Sequence, residues 1–207
     1  MKWYNYSYYT ILLFGVVTSF IHYKYLTKSQ KYLAVALVMI LITEITGRIY
    51  RELYGNNIII YSFFRPIQFA LVGASFFEEI KKKWIVVSII LYFFFHIMNL
   101  VFFQPLGEMY DSYSVNLSIL INTIWCLSYL YITFETPIVN SLFELPLFWP
   151  TCGYLFFNAI TIVVFATLDY TNNDTFKNAF EVLHLIRVFA SHFLYTTFCI
   201  AFFQKNR

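Results

Sequence analysis

Residues 84–103 read WIVVSIILYFFFHIMNLVFF, a stretch without a charged side chain. An α-helix rises about 1.5 Å per residue and the hydrocarbon core of a bilayer is about 30 Å thick, so about 20 apolar residues make one crossing. The stretch also marks its own ends. Lys81, Lys82 and Lys83 precede it, and Gln104-Pro105 closes it with a residue that has no backbone donor.

Working outward, six further segments have the same character: 8–26, 33–54, 58–77, 113–134, 147–168 and 176–203. The spacing predicts an all-α polytopic protein, one seven-helix transmembrane bundle over residues 1–207. The connections are too short to fold as domains. Composition agrees: 60% of the 207 residues are hydrophobic and only 12% are charged, against about 25% charged in soluble domains. A water-soluble core of this size cannot absorb 25 Phe and 18 Tyr, so lipid must cover much of the surface. The net charge of +3 carries no basic run with interleaved aromatics, which excludes a direct nucleic-acid surface. Cys126, Cys152 and Cys199 fall inside predicted helices without paired spacing, so neither a disulfide framework nor a zinc motif is expected.

Lysine and arginine are biased toward the cytoplasmic side of membrane proteins. With seven spans, Lys24, Lys28, Lys31, Lys81, Lys82, Lys83, Lys205 and Arg207 share one side. The opposite side has Lys2, Arg48, Arg51 and Lys177, and its 104–112 connection carries only Glu108 and Asp111. The N-terminus is therefore expected outside and the C-terminus in the cytoplasm, with the chain in a bacterial inner membrane. The first helix lacks a small-x-small cleavage site and is expected to be retained. Helix 2 is the weakest span, because Glu44, Arg48, Arg51 and Glu52 follow its apolar part. If it were re-entrant, six spans would remain. Pro66 is expected to kink or start helix 3.

Charged groups at membrane depth are costly and persist when paired or functional. At about 100° per residue, Glu181, His184, Arg187, Ser191, His192 and Tyr195 fall on one side of helix 7, opposite Val182, Ile186, Phe189, Phe193 and Ile200. Helix 2 offers partners: Glu44, Arg48 and Arg51 share a face, and Glu44–Arg48 and Arg48–Glu52 have i,i+4 spacing. Helix 3 adds Arg65 and Gln68. These residues form the candidate ligand-binding or gating cluster between helices 2, 3 and 7. His96, Asn99, Asn116, Asn122, Asn158 and Thr161 are further polar groups that either line it or tie helices together.

Enzymatic readings fare worse. His184 and His192 are about 12 Å apart along a helix, too far to share an ion with ligand bonds near 2 Å. His96 or Asp111 would have to complete a hydrolase site with one of them. Arg187-Val-Phe-Ala-Ser-His192 matches the R-x4-H signature of HEPN ribonucleases, but those are soluble bundles and this string lies in an apolar span. A retinal protein needs a lysine in the middle of the last helix, where this chain has none. Neither a metal nor a cofactor is expected.

Three stretches carry a resemblance. They are Phe64-Arg65-Pro66-Ile67-Gln68-Phe69, then Phe103-Gln104-Pro105-Leu106 with Asp111-Ser112-Tyr113, and Leu145-Pro146-Leu147-Phe148-Trp149-Pro150-Thr151-Cys152-Gly153. Over about residues 58–170 the chain resembles a family of small multi-span membrane proteins of Bacteroidota-type bacteria, which often has an acidic residue where Gln68 stands. Size, span number and a composition rich in Ile, Phe, Tyr, Asn and Lys also resemble the membrane accessory proteins of type VI CRISPR systems. The first resemblance carries no established activity; the polar cluster between helices 2, 3 and 7 leads to the expectation of a non-enzymatic sensor, regulator or accessory subunit, whose partners are the bilayer and a protein in the membrane or at the cytoplasmic face. The second implies a pore-forming or accessory component of antiviral defence, with self-association into a homo-oligomer if it forms a channel. An intramembrane metal-dependent hydrolase is the third reading.

Overall fold

A computed structural model describes residues 3–107, 110–135, 141–167 and 177–204; within these, 3–5, 165–167, 177–181 and 184 are described by backbone alone. The described residues form seven α-helices: α1 (Trp3–His22), α2 (Lys28–Tyr54), α3 (Ile58–Ile80), α4 (Lys83–Met98), α5 (Ser112–Glu135), α6 (Phe148–Thr167) and α7 (Lys177–Phe203). Five are long and apolar enough to cross a membrane: α2, α3, α4 extended to Phe103, α5, and α7 from Leu185. α6 is 20 residues long, and its described side chains, Phe148–Val164, form a further apolar stretch. α1 begins Trp-Tyr-Asn-Tyr-Ser-Tyr-Tyr-Thr, which dilutes its apolar character. The protein is thus an all-α membrane protein. Its outward side chains agree: Ile90, Phe94 and Ile97 on α4 and Val101 just beyond it are 59–66% exposed, a patch that water would not tolerate on a monomer.

Local chemistry explains the ends. Thr27 and Gln30 form a reciprocal capping box that starts α2. This cap places the start of the helix earlier than the apolar run at Leu33. α2 then continues unbroken past Glu44 and Arg48 to Gly55, whose φ of 82° is the left-handed cap that glycine adopts without strain. Helix 2, for which a re-entrant path was the alternative, is a single continuous helix of 27 residues, long and apolar enough to cross a membrane. α4 widens into a π-helical turn over 99–103, closed by Gln104 N–H donating to the Asn99 carbonyl at 2.7 Å.

The chain divides into two units, 1–25 with 126–207, and 26–125; the boundary falls within α5. In the second, α2 packs on α3 and α3 on α4. An aromatic column runs Trp125, Phe69, Tyr92 and His96, with ring centroids 4.7, 4.1 and 5.9 Å apart. Gly73 permits this contact, since a Cβ there would lie 2.8 Å from the Trp125 ring. Ser29 donates to Glu79 and so ties the start of α2 to the end of α3. In the first unit, α7 packs on both α1 and α6. Gly153 of α6 lets α7 approach so closely that a Cβ would meet Thr197 Oγ1 at 2.2 Å.

Candidate functional site

The uniformly apolar α4 carries an inward stripe. Ile85, Tyr92, His96 and Asn99 are all buried at helical spacing, whereas Val86, Val87, Ile90, Leu91, Phe94 and Ile97 between them are exposed. His96 Nε2 lies 3.0 Å from the Ser62 carbonyl of α3. That carbonyl would ordinarily accept from the backbone four residues on, but position 66 is proline and has no N–H. His96 supplies the missing donor. Pro66 and His96 are thus one feature: the first orphans an acceptor at membrane depth, and the second satisfies it.

Arg65 precedes the proline, about 10 Å into α3 from its first residue. Its guanidinium pairs with the Asp111 carboxylate, whose side chain is 1% exposed. Tyr110 stacks against the same guanidinium, 5.5 Å from ring centroid to Cζ. Asp111 stands just before α5, and its carbonyl accepts the Val115 N–H at 3.2 Å. An aspartate at this position normally caps the helix with its side chain. Here the carboxylate turns to Arg65, and Gln104 Oε1 takes over the cap by accepting the Tyr113 N–H at 3.1 Å. Asn99 Nδ2 donates to Gln104 Oε1 and Ser114 Oγ, at 3.0 and 3.1 Å, and Gln104 Nε2 donates to Ser112 Oγ at 2.9 Å. The connection between α4 and α5 is thereby sewn to both helices and latched to α3.

Four polar atoms in this cluster are buried without a hydrogen-bond partner: Ser62 Oγ, His96 Nδ1, Asn99 Oδ1 and Asp111 Oδ2. His96 Nδ1 and Asp111 Oδ2 face one another at 3.7 Å. Unpaired polar groups in a low-dielectric interior each cost about 1–3 kcal/mol, and their concentration in one place makes this the candidate site.

The expected site residues distribute as follows. Arg65 lies at the centre of the cluster, with Asp111 of the α4–α5 connection as its partner. Gln68 points elsewhere, donating to Thr43 Oγ1 at 2.8 Å. Glu44 accepts from the Tyr61 hydroxyl at 3.0 Å. Of the i,i+4 pairs on α2, Arg48–Glu52 forms at 3.2 Å, with side chains 52% and 68% exposed. Arg51 is also exposed, so these α2 charges reach outward near the helix end instead of filling an interior. On α7 the two stripes are present: Val182, Ile186, Phe189, Phe193 and Ile200 are exposed, and Ser191 and Tyr195 are buried. The polar stripe has its partner on α1. Ser7 Oγ meets His192 Nε2 at 2.8 Å, and the Tyr8 and Tyr195 hydroxyls are 3.3 Å apart. Arg187 is half-buried. The side chains of Glu181 and His184 lie outside the described residues, as do Glu108 and the 168–176 connection.

The Pro66–His96 contact could have been found in the sequence. A proline inside a membrane helix leaves the carbonyl four residues earlier without its donor, and His96 was an available donor. Asp111 is the one acid of its connection besides Glu108. Among the described residues, no three His, Cys, Asp or Glu side chains converge as metal ligands. No family model matches the chain, and neither curated proteins nor solved structures give a match.

Proposed function

We propose that the chain is a seven-span inner-membrane sensor or regulator without catalytic activity, with its N-terminus outside and its C-terminus in the cytoplasm. The Arg65–Asp111–His96 cluster is its input element, at the outer end of residues 26–125, and a protein partner at the cytoplasmic face receives the output. The observation that carries this reading is the latch. A buried ion pair holds a short outer connection against α3, beside buried polar atoms that lack partners. An ion pair retained only for stability would have its remaining lone pairs satisfied, because desolvation otherwise offsets the attraction. The orientation is supported by Lys24, Lys28 and Lys31 after the first helix and Lys81–Lys83 after the third. The motif resemblance adds support, since Arg65, Gln104, Asp111 and Ser112 all lie in the stretches that carry it.

The test compares abundance with output. Cells that encode the protein would carry the wild type, a deletion or Asp111→Asn, and their transcript profiles would be read beside membrane-fraction abundance. We expect Asp111→Asn to stay in the membrane and to reproduce the deletion profile. A loss of abundance that accounts for the whole loss of output would make the latch a scaffold. Leakage of dye-loaded liposomes by the purified protein would favour the pore reading instead.

A further inference from the structure

The two unpartnered atoms that face one another in the latch have a definite chemistry. A carbonyl oxygen can only accept, so the bond from His96 Nε2 to the Ser62 carbonyl at 3.0 Å requires a hydrogen on Nε2. In the neutral imidazole Nδ1 is then a bare lone pair, and it points at Asp111 Oδ2, also an acceptor. Both residues are nine-tenths or more buried: His96 is 3% exposed and Asp111 is 0% exposed. At 3.7 Å the two acceptors are held apart. One proton would convert the opposition into a charge-assisted N–H···O bond, which needs a separation of about 2.7–2.9 Å.

We infer that Asp111 and His96 form a proton-binding site, unloaded in this geometry, whose loading draws the connection before α5 onto α4. The inference rests on the reading of the latch as an input element and names its ligand: a proton from the aqueous phase beside the connection. The charge balance fits a switch. Unloaded, Arg65 and Asp111 cancel one another; loaded, the cluster carries one net positive charge. The charged groups that act on His96 among the described residues are Asp111 of the connection and Arg65 of α3. Tyr92 of its own helix stacks on the ring at 5.9 Å and Tyr110 lies against Arg65. The π-helical turn at 99–103 gives the end of α4 a wider and less tightly bonded backbone, which is where such an approach can be absorbed. Imidazole is the side chain whose ordinary titration falls nearest neutrality, and a bistable contact beside it is the usual form of a proton sensor.

The experiment is a titration of histidine-labelled protein in lipid nanodiscs by 15N NMR, from about pH 8 to about pH 5. His96→Asn assigns the His96 signals. We expect Nε2 to carry a proton throughout and Nδ1 to gain one on acidification. A Leu106→Cys variant without other cysteines, labelled with an environment-sensitive dye, should change emission over the same range. The change should be absent in His96→Asn, whose amide donates to Asp111 without titrating. An Nδ1 that stays bare at the acid end, or is already protonated at the alkaline end, overturns the inference. So does a protonated Nδ1 with no response at position 106. None of these outcomes touches the transcript test, so a latch that senses something other than protons remains distinguishable from no sensor at all.

Discussion

His96 and His192 are both histidines in apolar helices, and they sit in opposite kinds of surroundings. His192 has both ring nitrogens engaged: Nδ1 with the Val188 carbonyl at 2.6 Å and Nε2 with Ser7 Oγ at 2.8 Å. The carbonyl fixes a hydrogen on Nδ1, and the serine hydroxyl, which can donate or accept, completes the ring at Nε2. It joins α7 to α1 and needs nothing further. His96 has one nitrogen satisfied and the other opposed by a carboxylate. Residue type and depth do not separate a structural histidine from a reactive one. What separates them is whether every polar atom around the ring is accounted for.

The sharpest way to break the contrast is to remove the cation of the latch. Arg65→Leu leaves Asp111 buried without its partner, and losing one member of such a pair costs roughly 3–5 kcal/mol. Arg48→Leu removes an ion pair that is more than half exposed, and pairs of that kind are worth about 0–1 kcal/mol. Thermal unfolding in detergent should therefore rank Arg65→Leu far below Arg48→Leu, with Arg48→Leu close to wild type. Equal melting of the two would mean that Asp111 is hydrated and the latch is open.

The α6–α7 seam should break by shape, not charge. At Gly153 a Cβ would meet Thr197 Oγ1 at 2.2 Å and the Leu194 backbone at 3.3 Å. Gly153→Val forces α6 and α7 apart, and overpacking of this sort costs about 1–3 kcal/mol. Salt should leave that loss unchanged. A Gly153→Val protein that melts like wild type would show that α7 has room to shift.

The helices were legible because lipid imposes a composition that survives any packing detail. The helices α3 to α7 begin and end within about five residues of the apolar limits read from sequence, and α2 starts earlier, at its capping box. α1 starts at Trp3 and not near Tyr8, because interfacial aromatics and polar residues continue a helix that a hydrophobic criterion truncates. The site was legible in part. Arg65 stood out as a cation inside a span. Its partner did not, because Asp111 looked like an ordinary loop acid and nothing local says that it folds back under α3. The stripe on α4 was hidden by uniform apolarity: Tyr92, His96 and Asn99 are at helical spacing, but phenylalanines surround them. The charges on α7 and α2 are conspicuous in the sequence but do not mark the buried cluster. On α2, Arg48, Arg51 and Glu52 are exposed and stand near the helix end, where a charge costs little.

The smallest expected effect is also the most specific. Replacing a proline inside a helix with alanine ordinarily restores a backbone hydrogen bond and removes a ring clash, a gain of about 3 kcal/mol. Pro66→Ala should not show it. The restored N–H would point at the Ser62 carbonyl, which already accepts from His96 Nε2 at 3.0 Å, so the new bond competes with an existing one. Exchanging one donor for another should leave the net change within about 1 kcal/mol. The sharper readout is the ring itself. Once the backbone holds Ser62, His96 loses the contact that keeps the hydrogen on Nε2, and the tautomer carrying it on Nδ1 becomes available to donate to Asp111. In 15N NMR Pro66→Ala should then show His96 with its hydrogen on Nδ1 at the alkaline end, while His192 stays as in wild type. A gain near the full 3 kcal/mol with an unchanged His96 spectrum would mean that the two bonds never compete. His96 would then be a passenger on α4, and the proline, not the histidine, would set the geometry of the latch.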